Sequence, residues 1–307
     1  MHRIDVHHHL FPPAFVANLV ANDHYLARGI ARRWTPEVSL EDMAAGGVAK
    51  AYTSITAPGF ALVKDELLVR VNRECNEYAA RMAGEHRERF GFFASLPMPD
   101  VDASLKEISH ALDVLKADGI GLLTSYRNQW LGDAAFAPVL DELNRRRAIV
   151  YVHPTTPDCC RNLLAGVADW VVEFPADTTR TIASLLFSGT FARCPDVRFI
   201  FAHVGGVLPL VATHFERVVE VDAAVRARVA GGVMKTLRAQ HYDTALRANE
   251  VGLHAAVKTV GASQLLFGTD APLRESRTQA QDLAAYPLTD SERRAIEFEN
   301  ARRLFSR

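Results

Sequence analysis

Four short stretches carry residue types able to hold an ion and move protons. They are His7-His8-His9 behind Ile4-Asp5-Val6, then His153-Pro154, His203-Val204-Gly205-Gly206 and Gly268-Thr269-Asp270-Ala271-Pro272. Imidazole nitrogens with a carboxylate oxygen make a donor set suited to Zn²⁺. In an extended segment, side chains two apart point to the same side. His7 and His9 can therefore converge on one ion while His8 faces away as a structural residue. With His153 and Asp270 they form three imidazoles and one carboxylate, the expected metal ligands. His203 stands beside the ion as a fifth polar group, free to act as acid or base or to hold a water. The histidine run is embedded in I-D-V…L-F-P-P, not in a Gly/Ser-flanked end, which argues against a purification remnant. His24, His86, His110 and His254 lie in helical or loop stretches without such partners and read as ordinary.

These residues matter together only if the chain positions them on neighbouring elements. Short apolar runs bounded by turn or helix signals occur at 3–7, 51–56, 91–96, 120–124, 148–153, 198–203, 240–244 and 264–269. Most are apolar on both faces, as parallel strands covered by helices should be. Between them, apolar residues three and four apart predict helices over 65–84, 104–117, 133–146, 177–192, 208–229 and 250–260. Eight strands alternating with helices is the count of a (β/α)₈ TIM barrel, an α/β fold whose chemistry sits where the strands end. The four stretches end the first, fifth, sixth and eighth strands. An open doubly wound sheet is the alternative, but no G-x-G-x-x-G follows an early strand. The segment from Leu10 to about Leu40 is too long for a simple loop and is expected to cover the barrel mouth. A single domain over 1–307 is expected.

Composition narrows the function. Lys and Arg total 35 against 36 Asp and Glu, with no basic run beyond Arg145–Arg147, so no nucleic-acid partner is expected. No apolar stretch approaches the ~18–20 residues of a membrane span. Neither is there a signal-peptide h-region. Cys75, Cys159, Cys160 and Cys194 form no C-x-x-C pair and no disulfide framework, and a cytoplasmic location is expected.

The D-x-H-x-H opening, the later histidines, H-x-G-G and G-T-D resemble the amidohydrolase superfamily. More narrowly the chain resembles its decarboxylase branch, which includes aminocarboxymuconate-semialdehyde decarboxylase and the salicylate- and resorcylate-type decarboxylases. F-G-F-F-A-S-L-P, H-P-T-T-P, D-T-T-R-T, F-S-G-T-F, A-H-V-G-G-V-L-P and N-A-R-R-L-F carry the likeness nearly end to end. D-V-H-H-H, S-I-T-A-P-G and T-S-Y-R-N-Q-W-L-G-D point to the 6-methylsalicylate decarboxylases within it. The resemblance implies one metal, because strand four ends Leu123-Thr124-Ser125-Tyr126 without the lysine that bridges two ions in binuclear members. It favours Zn²⁺ over Mn²⁺, since the Mn²⁺-associated members begin Glu-x-His. It also implies a homodimer through the strand-six region. An arginine expected eleven residues after His203 is replaced by His214, and the 54–62 loop has none. That suits a substrate with a single carboxylate.

On this reading the substrate is a small aromatic carboxylate of the salicylate type. The ring carbon is protonated before CO₂ leaves, with Asp270 as donor and His203 relaying or positioning the proton. Trp34, Phe60, Tyr126 and Phe174 are candidate walls for the ring, and Arg180 is the remaining arginine considered for its carboxylate. Two rival functions share these ligands. One is a mononuclear zinc hydrolase of a lactone or amide, and the other is a silent binding protein on the same scaffold.

Overall fold

The computed structural model describes residues 2–229, 231–246 and 250–306. Eight strands form one parallel sheet: β1 (Arg3–His9), β2 (Val48–Ser54), β3 (Phe90–Ser95), β4 (Gly119–Leu123), β5 (Ile149–His153), β6 (Arg198–Phe201), β7 (His241–Asp243) and β8 (Leu265–Leu266), paired in that order. The sheet closes on itself just beyond β8. Val6 donates its N–H to the Phe267 carbonyl (3.0 Å), Asp270 to His7 (2.8 Å) and His9 to Ala271 (2.6 Å), and His8 pairs with Ala271 as a parallel bridge. The expected TIM barrel is the architecture observed.

Alternation along the strands sorts their side chains into two apolar layers. Ile4, Val6, Tyr52, Phe93, Tyr151 and Ile200 fill the barrel interior, joined from below by Ala301 and Leu304 of the closing helix Asn300–Phe305. Tyr52 stacks on Phe305 with ring centroids 3.7 Å apart. Arg3 pairs with buried Glu297 at 2.7 Å, pinning the start of β1 to that plug. The larger layer, including Phe90, Phe92, Val150, Val152, Phe199 and Phe201, packs outward against the helices. An apolar floor therefore lies beneath the strand ends, and the residues that end the strands gather above it.

Several boundaries move for local reasons. Strand six stops at Phe201, short of 203, because His203 and Val204 turn left-handed with φ of 54° and 53°. Gly206 follows with φ 73°, where a Cβ would sit 2.1 Å from the Pro175 carbonyl oxygen, so only glycine fits. The helix expected over 177–192 begins at Trp170 and ends at Phe187. The one expected over 208–229 breaks at Asp222, whose side chain caps the next short helix, Ala223–Arg228. A small hairpin, Ser125–Tyr126 with Gln129–Trp130, follows β4. The 10–40 insertion folds into the helix Pro13–Ala21, a 3₁₀ turn at Tyr25–Arg28, a short helix Ile30–Arg33 and the start of helix Pro36–Gly46. Phe15 and Leu19 anchor it in the outer core.

Candidate metal centre

The strand ends bring His7, His9, His153 and Asp270 together, with one ligand-type atom from each lying within 4.8 Å of the others and all four residues buried. Nε2 of His7 lies 3.1 Å from Nε2 of His9. Oδ1 of Asp270 is 3.1 Å from the former and 2.9 Å from the latter. His8 points away, its Nδ1 3.1 Å from Asp5 Oδ2 and its Nε2 2.8 Å from Ser39 Oγ.

The rear faces of the rings fix which nitrogen carries hydrogen. Nδ1 of His7 faces Asp243 Oδ2 at 3.0 Å, Nδ1 of His9 faces the Ser54 carbonyl at 3.2 Å, and Nδ1 of His153 faces the Pro154 carbonyl at 2.8 Å. Carbonyls and carboxylates only accept, so each Nδ1 donates and each Nε2 is the atom turned toward Asp270, where it can take up a proton or a metal ion. Three lone pairs and a carboxylate oxygen directed at one point repel each other unless a cation lies between them. The donor set therefore fits a metal ion, and its rear hydrogen bonds are those that orient metal-binding histidines. His203 is arranged the same way, with Nδ1 3.0 Å from the Ala245 carbonyl and its ring centroid 4.8 Å from that of His7. Its Nε2 is free to accept a proton.

Electrostatics follow from this crowding. Burial opposes charge on His7, but Asp243 and Asp270 flank it and push its imidazole up to about 10. Burial lowers His9, and burial followed by repulsion from His9 and His7 holds His153 well below the usual histidine range. His203 is lowered by burial first and then by His7. Asp270 is held well below the usual carboxylate range, since the adjacent imidazoles outweigh its burial. The pocket thus favours positive charge between its carboxylates.

Two acids complete the centre without having been singled out in the sequence. Asp243, at the end of β7, accepts from His7 Nδ1 with Oδ2 and from the backbone N–H groups of His203 (3.0 Å) and Ala245 (2.9 Å) with Oδ1. With His7 and His203 it also forms a second grouping of ligand-type residues. Its signal was the acid closing the strand Q-H-Y-D-T. Asp5 accepts from the N–H (3.1 Å) and hydroxyl (2.6 Å) of Thr269, locking β1 to the turn that presents Asp270.

Beside His153 opens a cavity of about 210 Å³, lined among others by Ser54, Phe60, Leu96, Met98, Leu123 and Tyr126. That is below the roughly 300–1,000 Å³ of drug-sized sites and is on the scale of a single substituted ring. Tyr126 sits in its wall, its hydroxyl oxygen accepting from the Leu123 N–H at 2.8 Å. Phe174 meets His153 edge-on at 6.1 Å. Trp34 lies elsewhere: it is buried in the outer core, its Nε1–H donating to Ser39 Oγ at 2.9 Å, and it does not line the cavity. Arg180 also lies outside the lining, engaged with Glu173 at 3.4 Å and Asp177 at 3.6 Å.

Known proteins share this design. The amidohydrolase family profile matches residues 4–307. A decarboxylase of Aspergillus niger, yanB, is 37% identical over 286 residues, covering 89% of this chain and 77% of that protein. The 6-methylsalicylic acid decarboxylase acuB of Aspergillus aculeatus is 35% identical over 299 residues, 93% of this chain and 91% of that one. A dihydroxybenzoic acid decarboxylase from Polaromonas, solved with bound manganese and an inhibitor, superposes with a TM-score of 0.88 over 99% of this chain and 97% of its own at 19% identity. With its profile matched almost end to end and its barrel shared, the chain belongs to the amidohydrolase family.

Proposed function

We propose that this protein is a metal-dependent, non-oxidative decarboxylase of a small aromatic carboxylate, most closely a 6-methylsalicylate-type acid. The observation that carries the reading is the convergence of three Nε2 lone pairs and Asp270 Oδ1 beside a ring-sized cavity. The relative named as a 6-methylsalicylic acid decarboxylase supports the substrate class, and the one named as a decarboxylase supports the reaction. His7, His9, His153 and Asp270 would hold the ion. We assign Zn²⁺ on the three-nitrogen, one-oxygen set, although the Polaromonas neighbour was solved with manganese. When bound, the ion supplies positive charge that orients a carboxylate and its neighbouring phenolic oxygen and steadies phenolate charge.

The chain's own residues do the rest. Asp270, ionised at rest, accepts the phenol proton as substrate enters and delivers it to the ring carbon bearing the carboxylate. CO₂ then departs with its former bond electrons restoring the aromatic ring. His203 Nε2 relays a solvent proton to the phenolate left behind. Tyr126 serves as a ring wall, as would Phe174 from its place against His153, while Arg180 serves through its acidic partners. The 10–40 insertion would cover the mouth, a reading supported by the Asp270 charge, which after burial raises the Tyr25 hydroxyl on its 3₁₀ turn. A homodimer and a cytoplasmic setting complete the reading. Exposed Leu210 and Val221 on the helix Leu208–Val221, after β6, suit the former, and the free thiols suit the latter.

The test is CO₂ release from a panel of salicylates on zinc-loaded protein with metal content quantified. Release from 6-methylsalicylate or a close analogue, with about one ion per chain and loss on chelation, is expected. Bound metal with no CO₂ from any aromatic acid, but turnover of lactones, would replace the decarboxylase with a hydrolase. His203→Asn should lower turnover by roughly 10²–10⁴-fold while leaving metal content intact.

A further inference from the structure

Outside the metal centre, Cys159 and Cys160 bring two thiols together in a 3₁₀ turn, Asp158–Cys160, at the cavity mouth. Their sulfurs are 2.9 Å apart. Cys159 is exposed and Cys160 half-exposed, whereas Cys75 and Cys194 are buried. The turn is part of the opening itself. Pro157 and Asp158 before it and Arg161 after it line the cavity, and Arg161 pairs with Asp158 at 2.9 Å. The Cys159 N–H donates to Asn128 Oδ1 at 2.8 Å, tying the pair to the hairpin loop that carries Tyr126.

We propose that Cys159 and Cys160 are a redox modification site, a vicinal dithiol that closes to an intrachain disulfide and thereby restricts entry to the cavity. Cys160 is pushed up to about 11, first by its hydrogen bond with Cys159 and then by burial, and Cys159, the more exposed of the two sulfurs, is the one that attacks first. The oxidant is a small-molecule disulfide such as oxidised glutathione. Cys159, losing its proton, attacks one glutathione sulfur and forms a mixed disulfide, releasing one glutathione thiol. Cys160 then loses its proton and attacks the Cys159 sulfur, forming the Sγ–Sγ bond and expelling the second glutathione thiol. Two protein thiols are oxidised and one glutathione disulfide is reduced.

Closing the bond draws the sulfurs from 2.9 Å to roughly 2.04 Å. Adjacent Cα atoms lie only about 3.8 Å apart across a trans peptide, shorter than the roughly 4.4–6.8 Å that ordinary disulfides span. The turn must therefore twist, and Asp158 and Arg161 move with it. The same strain makes the bond easily reduced, a property of regulatory disulfides.

The experiment treats metal-loaded full chain with oxidised glutathione and reads mass, alkylatable thiols and steady-state kinetics. The expected product lacks two hydrogens on the 159–160 peptide, loses two alkylatable thiols and reverts with dithiothreitol. Its KM is several-fold higher with kcat little changed. In Cys160→Ser the two-hydrogen loss should be absent, the reaction stopping at the Cys159–glutathione mixed disulfide that the wild-type chain resolves. A stable glutathione adduct or a cross-linked dimer in place of the internal bond would overturn the site, and an internal bond without a change in KM would overturn the gating. Only the kinetic arm rests on the decarboxylase reading. A chain that decarboxylates nothing yet forms the internal bond would refute that reading and leave the modification site standing.

Discussion

Asp243 and Asp177 are both fully buried carboxylates, each accepting several hydrogen bonds, yet burial leaves them on opposite sides of the ordinary range. For Asp243, burial pushes the pKa up, but the His7 imidazole against Oδ2 and the nearby His203 hold it below the usual carboxylate range. For Asp177, burial also pushes up, and here it wins. Its partners are Thr124 Oγ1 (2.5 Å), Ser125 Oγ (2.9 Å) and Trp130 Nε1 (2.6 Å), all neutral, with the Arg180 guanidinium 3.6 Å off and partly in solvent. Neutral donors pointed at a buried carboxylate do not replace its lost hydration as a nearby cationic ring does. The catalytic end of the barrel thus carries an anion stabilised by chargeable rings, while the hairpin wall hangs on one that tolerates protonation.

The hardest blow to the comparison is Asp243→Asn. Oδ1 meets two backbone N–H groups, which an amide nitrogen cannot satisfy, so the nitrogen must replace Oδ2 and face His7 Nδ1. His7 would then flip its tautomer and point Nε2–H at the ion. Metal affinity should fall by roughly 10–100-fold, measured by competition with a chromophoric chelator. Affinity equal to wild type would sink the tautomer argument. Asp177→Ala comes next. It strands two hydroxyls and an indole N–H, and thermal or urea unfolding should show a loss of about 1–3 kcal/mol; an unchanged midpoint would mean those donors have other partners.

Asp177→Asn is the gentlest and sharpens the contrast most. Its oxygen can take the indole N–H while its nitrogen donates to the hydroxyl oxygens, so the fold should survive. The wild-type folded state holds the Asp177 proton more tightly than the unfolded chain does. Wild-type stability should therefore fall relative to the variant as pH rises from ~3.9 through the folded-state value. Parallel stability–pH curves for the two proteins would remove Asp177 from the raised class.

The barrel was legible in the chain because buried parallel strands leave short runs of apolar residues, and β3 and β5 are buried at every position. The gathering of His7, His9, His153 and Asp270 was legible for a related reason. Strand alternation fixes direction, and the C-terminal ends of strands in one barrel share one rim. Asp243 was not legible as part of the centre. An acid closing a three-residue strand gives no hint that its partner, His7, lies 236 positions away. The loops were harder still. Trp34 and Tyr126 both stand in loop-like stretches, and nothing local distinguishes the indole that meets Ser39 from the phenol that reaches the cavity. Arg180 could not be placed until Glu173 and Asp177 were seen two turns and one turn away on the same helix.

The seam that closes the barrel has a consequence for synthesis. The backbone bonds joining β1 to the segment after β8 involve His7, His9 and Asp270 themselves, so the clasp and the metal pocket are one object. A ribosome delivers the two histidines at the start and the aspartate 261 positions later than His9. A nascent chain therefore holds these imidazoles without their carboxylate until the segment after β8 has been made. The pocket can be completed only once the last strand emerges, so ion selection must follow synthesis and cannot guide its early stages.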